Sequence, residues 1–150
     1  MPIKVISHNR KAFHDYLISD TIEAGIVLTG TEIKSIRAGK VNIRDAYARP
    51  DDKEMWLLNS HISHYDKGNR YNHEPMRPRK LLMHKRQIQQ LSSKAREKGL
   101  TLVPLKLYIK DGVAKIELGL GKGKKIYDKR ESIAKRDSDR DMARSLRRPR

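Results

Sequence analysis

Apolar positions along this chain follow two different periods, and the change of period marks its elements. Near the C-terminal third, Val113, Lys115 and Glu117 alternate with Ala114, Ile116 and Leu118, the two-residue repeat of a half-buried strand. Residues 100–109 predict the strand before it, and Asp111-Gly112 between them is a hairpin signal. Residues 16–28 are rich in Ile, Val, Leu and Thr and read as one long strand or two, with Gly25 at a bulge or sharp bend. Ala46-Tyr47-Ala48 and Met55-Trp56-Leu57-Leu58 predict two more strands about a turn at Arg49-Pro50-Asp51-Asp52-Lys53, and Ile62 lies further along.

Three- and four-residue spacing appears at Leu81, His84, Ile88, Leu91 and Ala95, predicting a long helix over 81–98 that Gly99 stops. A short helix follows a cap at Ser7 or Asn9. A second short helix spans 32–38, with Thr31 as cap, Ile33 and Ile36 on its apolar face and Gly39 beyond its end. Residues 66–79 are polar and proline-containing, a surface loop.

Five to six antiparallel strands with one long and two short helices make a mainly β protein. A sheet of that size must hide its edges, and closing into a small barrel does so. The expected fold is an antiparallel barrel of the oligonucleotide-binding (OB) type over residues 1–120. Residues 121–150 break the pattern. They hold 12 Lys/Arg against 5 Asp/Glu and too few apolar side chains for a core. Such a segment cannot offset its ordering entropy by burial and is expected to be a flexible basic tail.

Charge sharpens this picture. The whole chain carries 34 Lys/Arg against 18 Asp/Glu, a formal net charge of +16. The tail accounts for +7 and the first 120 residues for +9, so the excess is global. A field of this size favours phosphate backbones, with strong salt dependence. The tail has few apolar residues to insert and no lipidation motif, so no membrane partner is expected. With no cysteine, disulfides, thiolate catalysis and Cys-ligated metals are excluded. The N-terminal stretch lacks the apolar core of a signal peptide, and a soluble cytoplasmic protein is expected.

Candidate chemistry points to binding rather than catalysis. Asn9, Lys11, Lys34, Ser35, Arg37 and Asn42 suit phosphate and sugar contacts. Taken singly, each reads equally as a solvated surface residue. Glu32 is either a first-turn helix residue favoured by the dipole or an acceptor for base edges and 2′-hydroxyls. Arg77-Pro78-Arg79-Lys80 leads into the long helix and suits backbone contact. His61 and His64, three apart on an extended strand, point to opposite faces, so no metal site is expected. Gly119-x-Gly121-x-Gly123-Lys124-Lys125 lacks the four-residue gap and the Ser/Thr of a phosphate loop, so no nucleotide cofactor is expected either. There is no nucleophile–base pair or carboxylate pair to support an enzyme.

Three motifs resemble one family. Ile22-Glu23-Ala24-Gly25-Ile26-Val27-Leu28, Gly30-Thr31-Glu32-Ile33-Lys34-Ser35, Arg37-Ala38-Gly39 and Asn42 resemble the N-terminal signature of the SsrA-binding (SmpB) family. Arg77-Pro78-Arg79-Lys80-Leu81-Leu82-Met83-His84 resembles its central motif. Gly123-Lys124-Lys125-Ile126-Tyr127-Asp128-Lys129-Arg130 resembles the start of its tail.

The resemblance implies an OB-type barrel that binds the tRNA-like domain of transfer-messenger RNA (tmRNA) and enters stalled ribosomes for trans-translation. It implies no catalytic chemistry, a monomer when free, and elongation factor Tu in the delivery complex. The tmRNA contacts it implies are Asn9, Lys11, Glu32, Lys34, Ser35, Arg37, Asn42, Arg77, Arg79 and Lys80. For the tail it implies the decoding centre and the empty mRNA channel. The residues there are Gly123, Lys124, Lys125, Tyr127, Asp128, Lys129 and Arg130, then Arg136, Arg140, Arg144 and Arg147, which share one face once the tail is helical. Gly121 stands where the family leads one to expect Ala or Arg, and glycines at 119, 121 and 123 predict a flexible hinge. A structural ribosomal or ribosome-assembly protein is the competing expectation.

Overall fold

The computed structural model describes residues 3–51, 53–68 and 72–124. Nine strands and three helices follow in the order β1 (Ile3–His8), α1 (Arg10–Asp15), β2 (Tyr16–Ile26), α2 (Gly30–Arg37), β3 (Val41–Asn42), β4 (Tyr47–Asp51), β5 (Glu54–Leu58), β6 (His61–Ile62), β7 (Arg79–Leu82), α3 (Lys85–Lys98), β8 (Thr101–Lys110) and β9 (Val113–Gly123). Strand pairing runs β8-β4-β5-β7-β2-β9 and returns from β9 to β8, so six antiparallel strands close a ring. β1 lies outside the ring, on the edge of β8 that β4 leaves open, and β3 pairs with β6 in a separate ribbon. Closure removes the free edges that an open sheet would expose.

The alternation seen in the sequence fills the barrel. Ala114, Ile116, Leu118 and Leu120 of β9 turn inward beside Leu102 and Leu107 of β8 and Met55 and Leu57 of β5. Ile88 and Leu91 bring α3 onto the same core, and Ile36 brings α2. Gly99 (φ +63°) ends α3 and Gly39 (φ +76°) follows α2, both in the left-handed region that glycine tolerates.

Several expected boundaries move. Thr29, not Thr31, caps α2: its hydroxyl accepts from the Glu32 N–H at 3.4 Å, while its own N–H donates to Glu32 Oε1 at 2.8 Å. This reciprocal box wins because it satisfies two helix-end donors at once. Leu81 and Leu82 belong to β7, not to the long helix. Burial across Arg79–Leu82 alternates, and Leu81 pairs with Met55 on one side and Ile26 on the other. Helical spacing from Leu81 to Ile88 is thus coincidental, and α3 begins at Lys85 after His84 N–H donates to Gln87 Oε1 at 3.1 Å.

Gly25 is not at a bulge. It pairs in register with both Leu82 and Lys115, and the irregularity in β2 falls between Ile18 and Thr21. β9 continues through Gly121 to Gly123, and Gly119 and Gly121 are buried strand residues rather than hinge positions. A Cβ on Gly119 would lie 2.8 Å from Ile18 Cγ2, and one on Gly121 would lie 2.9 Å from Tyr16 Cβ. These glycines permit close packing of β9 against β2.

Candidate nucleic-acid interface

The expected contact residues divide sharply by burial. Asn9, Glu32, Ser35 and Arg79 are each 2% exposed or less. None offers surface to a partner, which corrects the expectation that they touch RNA directly. Asn9 is a junction: Oδ1 accepts from the Ala12 N–H, and Nδ2 donates to the carbonyls of Ile43 (3.1 Å) and Pro104 (2.8 Å). It caps α1 and ties that helix to β8 and to the segment after β3.

Glu32 is the centre of a larger network. Arg77 Nη2 donates to Oε1 at 2.5 Å, and Arg79 Nε donates to Oε2 at 2.6 Å. Arg79 spends its remaining donors on Ser60 (carbonyl 2.9 Å, hydroxyl 3.0 Å) and on the carbonyls of Glu74 (3.3 Å) and Pro75 (3.1 Å). Five bonds match the five guanidinium N–H groups, as burial of this cation demands. Burial pushes the Glu32 carboxyl pKa up, but Arg77, the Thr29 N–H and Arg79 outweigh it and hold the group below the ordinary value. His73, also buried, links the same region: its Nδ1 meets Thr31 Oγ1 at 2.9 Å and its Nε2 meets the Ile62 carbonyl at 2.8 Å. Together these groups fix the loop before β7 and the start of α2.

β7 then carries the surface that the network positions. Three residues past Arg79, Leu82 is 55% exposed. It lies over Gly25, where a Cβ would come within 3.2 Å of Leu82 Cβ. Glu23, Lys53, Lys80, His84, Lys85 and Lys115 line the open groove around it. Glu23 is held in its charged form by the Tyr108 hydroxyl, with Lys110 and Lys115 adding to the effect. An apolar side chain ringed by cations, with the carboxylates of Glu23 and Glu54 among them, has the chemistry of a looped-RNA site: stacking surface, phosphate partners and acceptors. Of the expected residues only Lys80 belongs to it, and it pairs with Glu54 at 3.1 Å. Leu82 falls inside the helix expected over 81–98, a period that does not mark it as a groove residue. A two-residue period from Arg79 would have exposed it.

A second cationic groove forms between α1 and β3. Lys11 and Asn42 meet there, with His8, Arg10, His14 and Arg44, which the sequence did not single out. Lys11 pairs with Asp45 at 2.7 Å. Lys34 and Arg37 lie exposed on α2, Lys34 over the Tyr65 ring at 5.5 Å. Arg77 is partly exposed but committed to Glu32. Gly123 and Lys124 end the described chain, Lys124 Nζ donating to the Phe13 carbonyl at 3.3 Å. Lys125, Tyr127, Asp128, Lys129, Arg130, Arg136, Arg140, Arg144 and Arg147 lie outside the described residues. Among the described residues no helix is long and apolar enough to cross a membrane.

Comparison with known proteins identifies the family. The SmpB protein family model matches residues 6–148. The SsrA-binding protein of Carboxydothermus hydrogenoformans is 66% identical over 144 residues, covering 96% of this chain and 97% of that protein. That of Desulforudis audaxviator is 60% identical over 146 residues, covering 97% and 95%. A chain of the solved structure "tmRNA-SmpB: a journey to the center of the bacterial ribosome" is 50% identical, with a TM-score of 0.67 over 83% of this chain and 85% of that one. With a family match across nearly its whole length and relatives at this identity, the chain belongs to the SmpB family.

Proposed function

We infer that this chain binds the tRNA-like domain of tmRNA and delivers it to stalled ribosomes for trans-translation. The observation that carries it is the groove around Leu82, an exposed apolar side chain among lysines on a barrel of this family. The barrel, whose last strand runs to Gly123, holds the RNA by shape and charge. Residues 124–150 serve the decoding centre and the empty mRNA channel, with their surplus of 11 Lys/Arg over 5 Asp/Glu directed at ribosomal RNA. The chain acts in the cytoplasm, alongside elongation factor Tu in the delivery complex, and contributes no catalytic step.

The test is a competition titration at fixed, near-physiological salt. Labelled tRNA-like domain meets the full chain and a 1–130 truncation, against excess ordinary tRNA. Tight binding that resists the competitor and survives truncation supports a shape-specific barrel. Binding that ordinary tRNA removes, or that falls away with the tail, favours a structural ribosomal protein held by charge.

A further inference from the structure

A pocket on the β4–β5 hairpin is left unused by the groove around Leu82. Tyr47 pairs with Leu58, Arg49 with Trp56 and Asp51 with Glu54, while Ala48, Met55 and Leu57 turn into the core. Directly paired residues share one face, so Arg49, Asp51, Trp56 and Leu58 stand together on the outside of the barrel. With Pro78 from the loop before β7, they line an open pocket. Lys80 pairs with Trp56 in the next strand, so a row Arg49–Trp56–Lys80 crosses three strands. Among the described residues, Arg49, Asp51 and the Trp56 indole N–H have no side-chain hydrogen bond or ion pair that would commit them to the fold.

We propose that this pocket takes one unstacked guanine base of a looped or single-stranded RNA. The indole offers a face on which a base stacks, and Leu58 and Pro78 form apolar walls. Asp51 supplies two acceptor oxygens at the rim. Guanine presents two adjacent donors there, its N1–H and its 2-amino group. Adenine presents an acceptor and one donor, and uracil sets its single N–H between two carbonyls that a carboxylate repels. Arg49 flanks the base position with positive charge for a phosphate or for guanine O6, while Lys80 beyond Trp56 stays paired with Glu54. Charge complementarity favours RNA as occupant on a chain of net charge +16. The proposal rests on the RNA-binding function inferred above and adds a base-specific contact beside its groove.

The chain holds one tryptophan and six tyrosines, so tryptophan emission excited beyond the tyrosine absorption band reports this pocket. The full chain is titrated with the hexanucleotides UUGUUU, UUAUUU and UUUUUU at low salt, with binding followed in parallel by anisotropy of labelled RNA. UUGUUU is expected to quench Trp56 and to bind at least about fivefold tighter than the others, the lower end of a bidentate discrimination. Asp51→Asn is expected to keep the quench and erase the preference. Binding by anisotropy with Trp56 emission unmoved overturns the pocket, as does equal affinity for all three RNAs or a preference that survives Asp51→Asn. Quenching by a proline-rich peptide and by no hexanucleotide makes the site a peptide groove and overturns it too. In each of these cases retained binding of the tRNA-like domain leaves the RNA function standing, whereas its loss refutes that function itself.

Discussion

The Glu32 carboxylate accepts from Arg79 Nε at 2.6 Å, and neither side chain has any exposed surface. One end of this pair is in the N-terminal signature motif and the other in the central motif. The two motifs thus meet twice, inside the protein at this pair and at the surface in the groove that Glu23, Lys80 and Leu82 line. Breaking a buried pair by removing one charge leaves the other unpaired, at a cost of about 3–5 kcal/mol. Glu32→Gln keeps an oxygen for the Thr29 N–H, removes the charge and turns the oxygen that accepts from Arg79 Nε into an NH2 donor. It is expected to lower urea stability by about that amount, with RNA affinity falling only as the folded fraction falls. Unchanged urea stability with lost RNA binding would make Glu32 a direct contact after all.

The same carboxylate sets an acid limit. Its pKa is held below the ordinary value of 4.5 in the folded chain, so the unfolded chain binds the proton more readily. This contribution to stability is complete above pH 4.5 and is lost as pH falls through the folded value. Glu23, held low by the Tyr108 hydroxyl, adds an effect of the same sign. Melting temperature is expected to fall steeply below pH 4.5 in the wild type and less steeply in Glu32→Gln, which lacks the titrating group. Parallel slopes in the two proteins would show that other carboxylates dominate acid unfolding.

Adjacent residues of β7 give a paired prediction. Leu81 is 1% exposed and Leu82 55%. Leu81→Ala opens a core cavity and is expected to cost about 2–5 kcal/mol. Leu82→Ala is expected to change stability by less than about 1 kcal/mol. Its effect should appear instead as weaker binding of the tRNA-like domain, since Leu82 is the apolar centre of the groove. Denaturant melts and titrations on the same preparations separate the two.

These residues also show how far the sequence could be read. The closed barrel was legible because Val113 to Leu118 alternate and Asp111-Gly112 joins two long strands. The β7–α3 junction was not, because Leu81 to Ile88 satisfies helical spacing across a strand–helix boundary. β1 escaped notice because Ile3 and Val5 remain partly exposed on an added edge strand and leave no clean inward face. Charge type alone could not tell Lys34, which faces solvent, from Arg79, which does not. Burial of an arginine depends on a carboxylate 47 positions away, and local pattern carries no record of that pairing.

Gly119 and Gly121 predict a graded pair. At Gly119 the intruding methyl meets the Ile18 branch methyl Cγ2 and the Leu105 end Cδ1, side-chain atoms one bond or more beyond Cβ that can shift in part. At Gly121 it meets Tyr16 at Cβ, close to the backbone, which cannot. Overpacking of this kind costs about 1–3 kcal/mol, and Gly121→Ala is expected to lie at the upper end with Gly119→Ala below it. Equal, negligible costs would return these positions to the role of a hinge.

Asp45 tests the second groove from the opposite direction. It pairs with Lys11 at 2.7 Å, and that lysine holds the exposed Asp45 carboxyl below its ordinary pKa. While paired, Lys11 has a competing anion beside any phosphate. Asp45→Asn frees the lysine without altering the fold, because both side chains are exposed. If the groove of Lys11, Arg44 and Asn42 faces RNA, the variant binds more tightly at low salt. The slope of log affinity against log salt should then steepen by about one counterion per phosphate gained. Lys11→Ala should move both quantities the other way, and the double variant should resemble Lys11→Ala alone. An Asp45→Asn variant with unaltered affinity and slope would place this groove away from the RNA, leaving the groove around Leu82 to carry the contact.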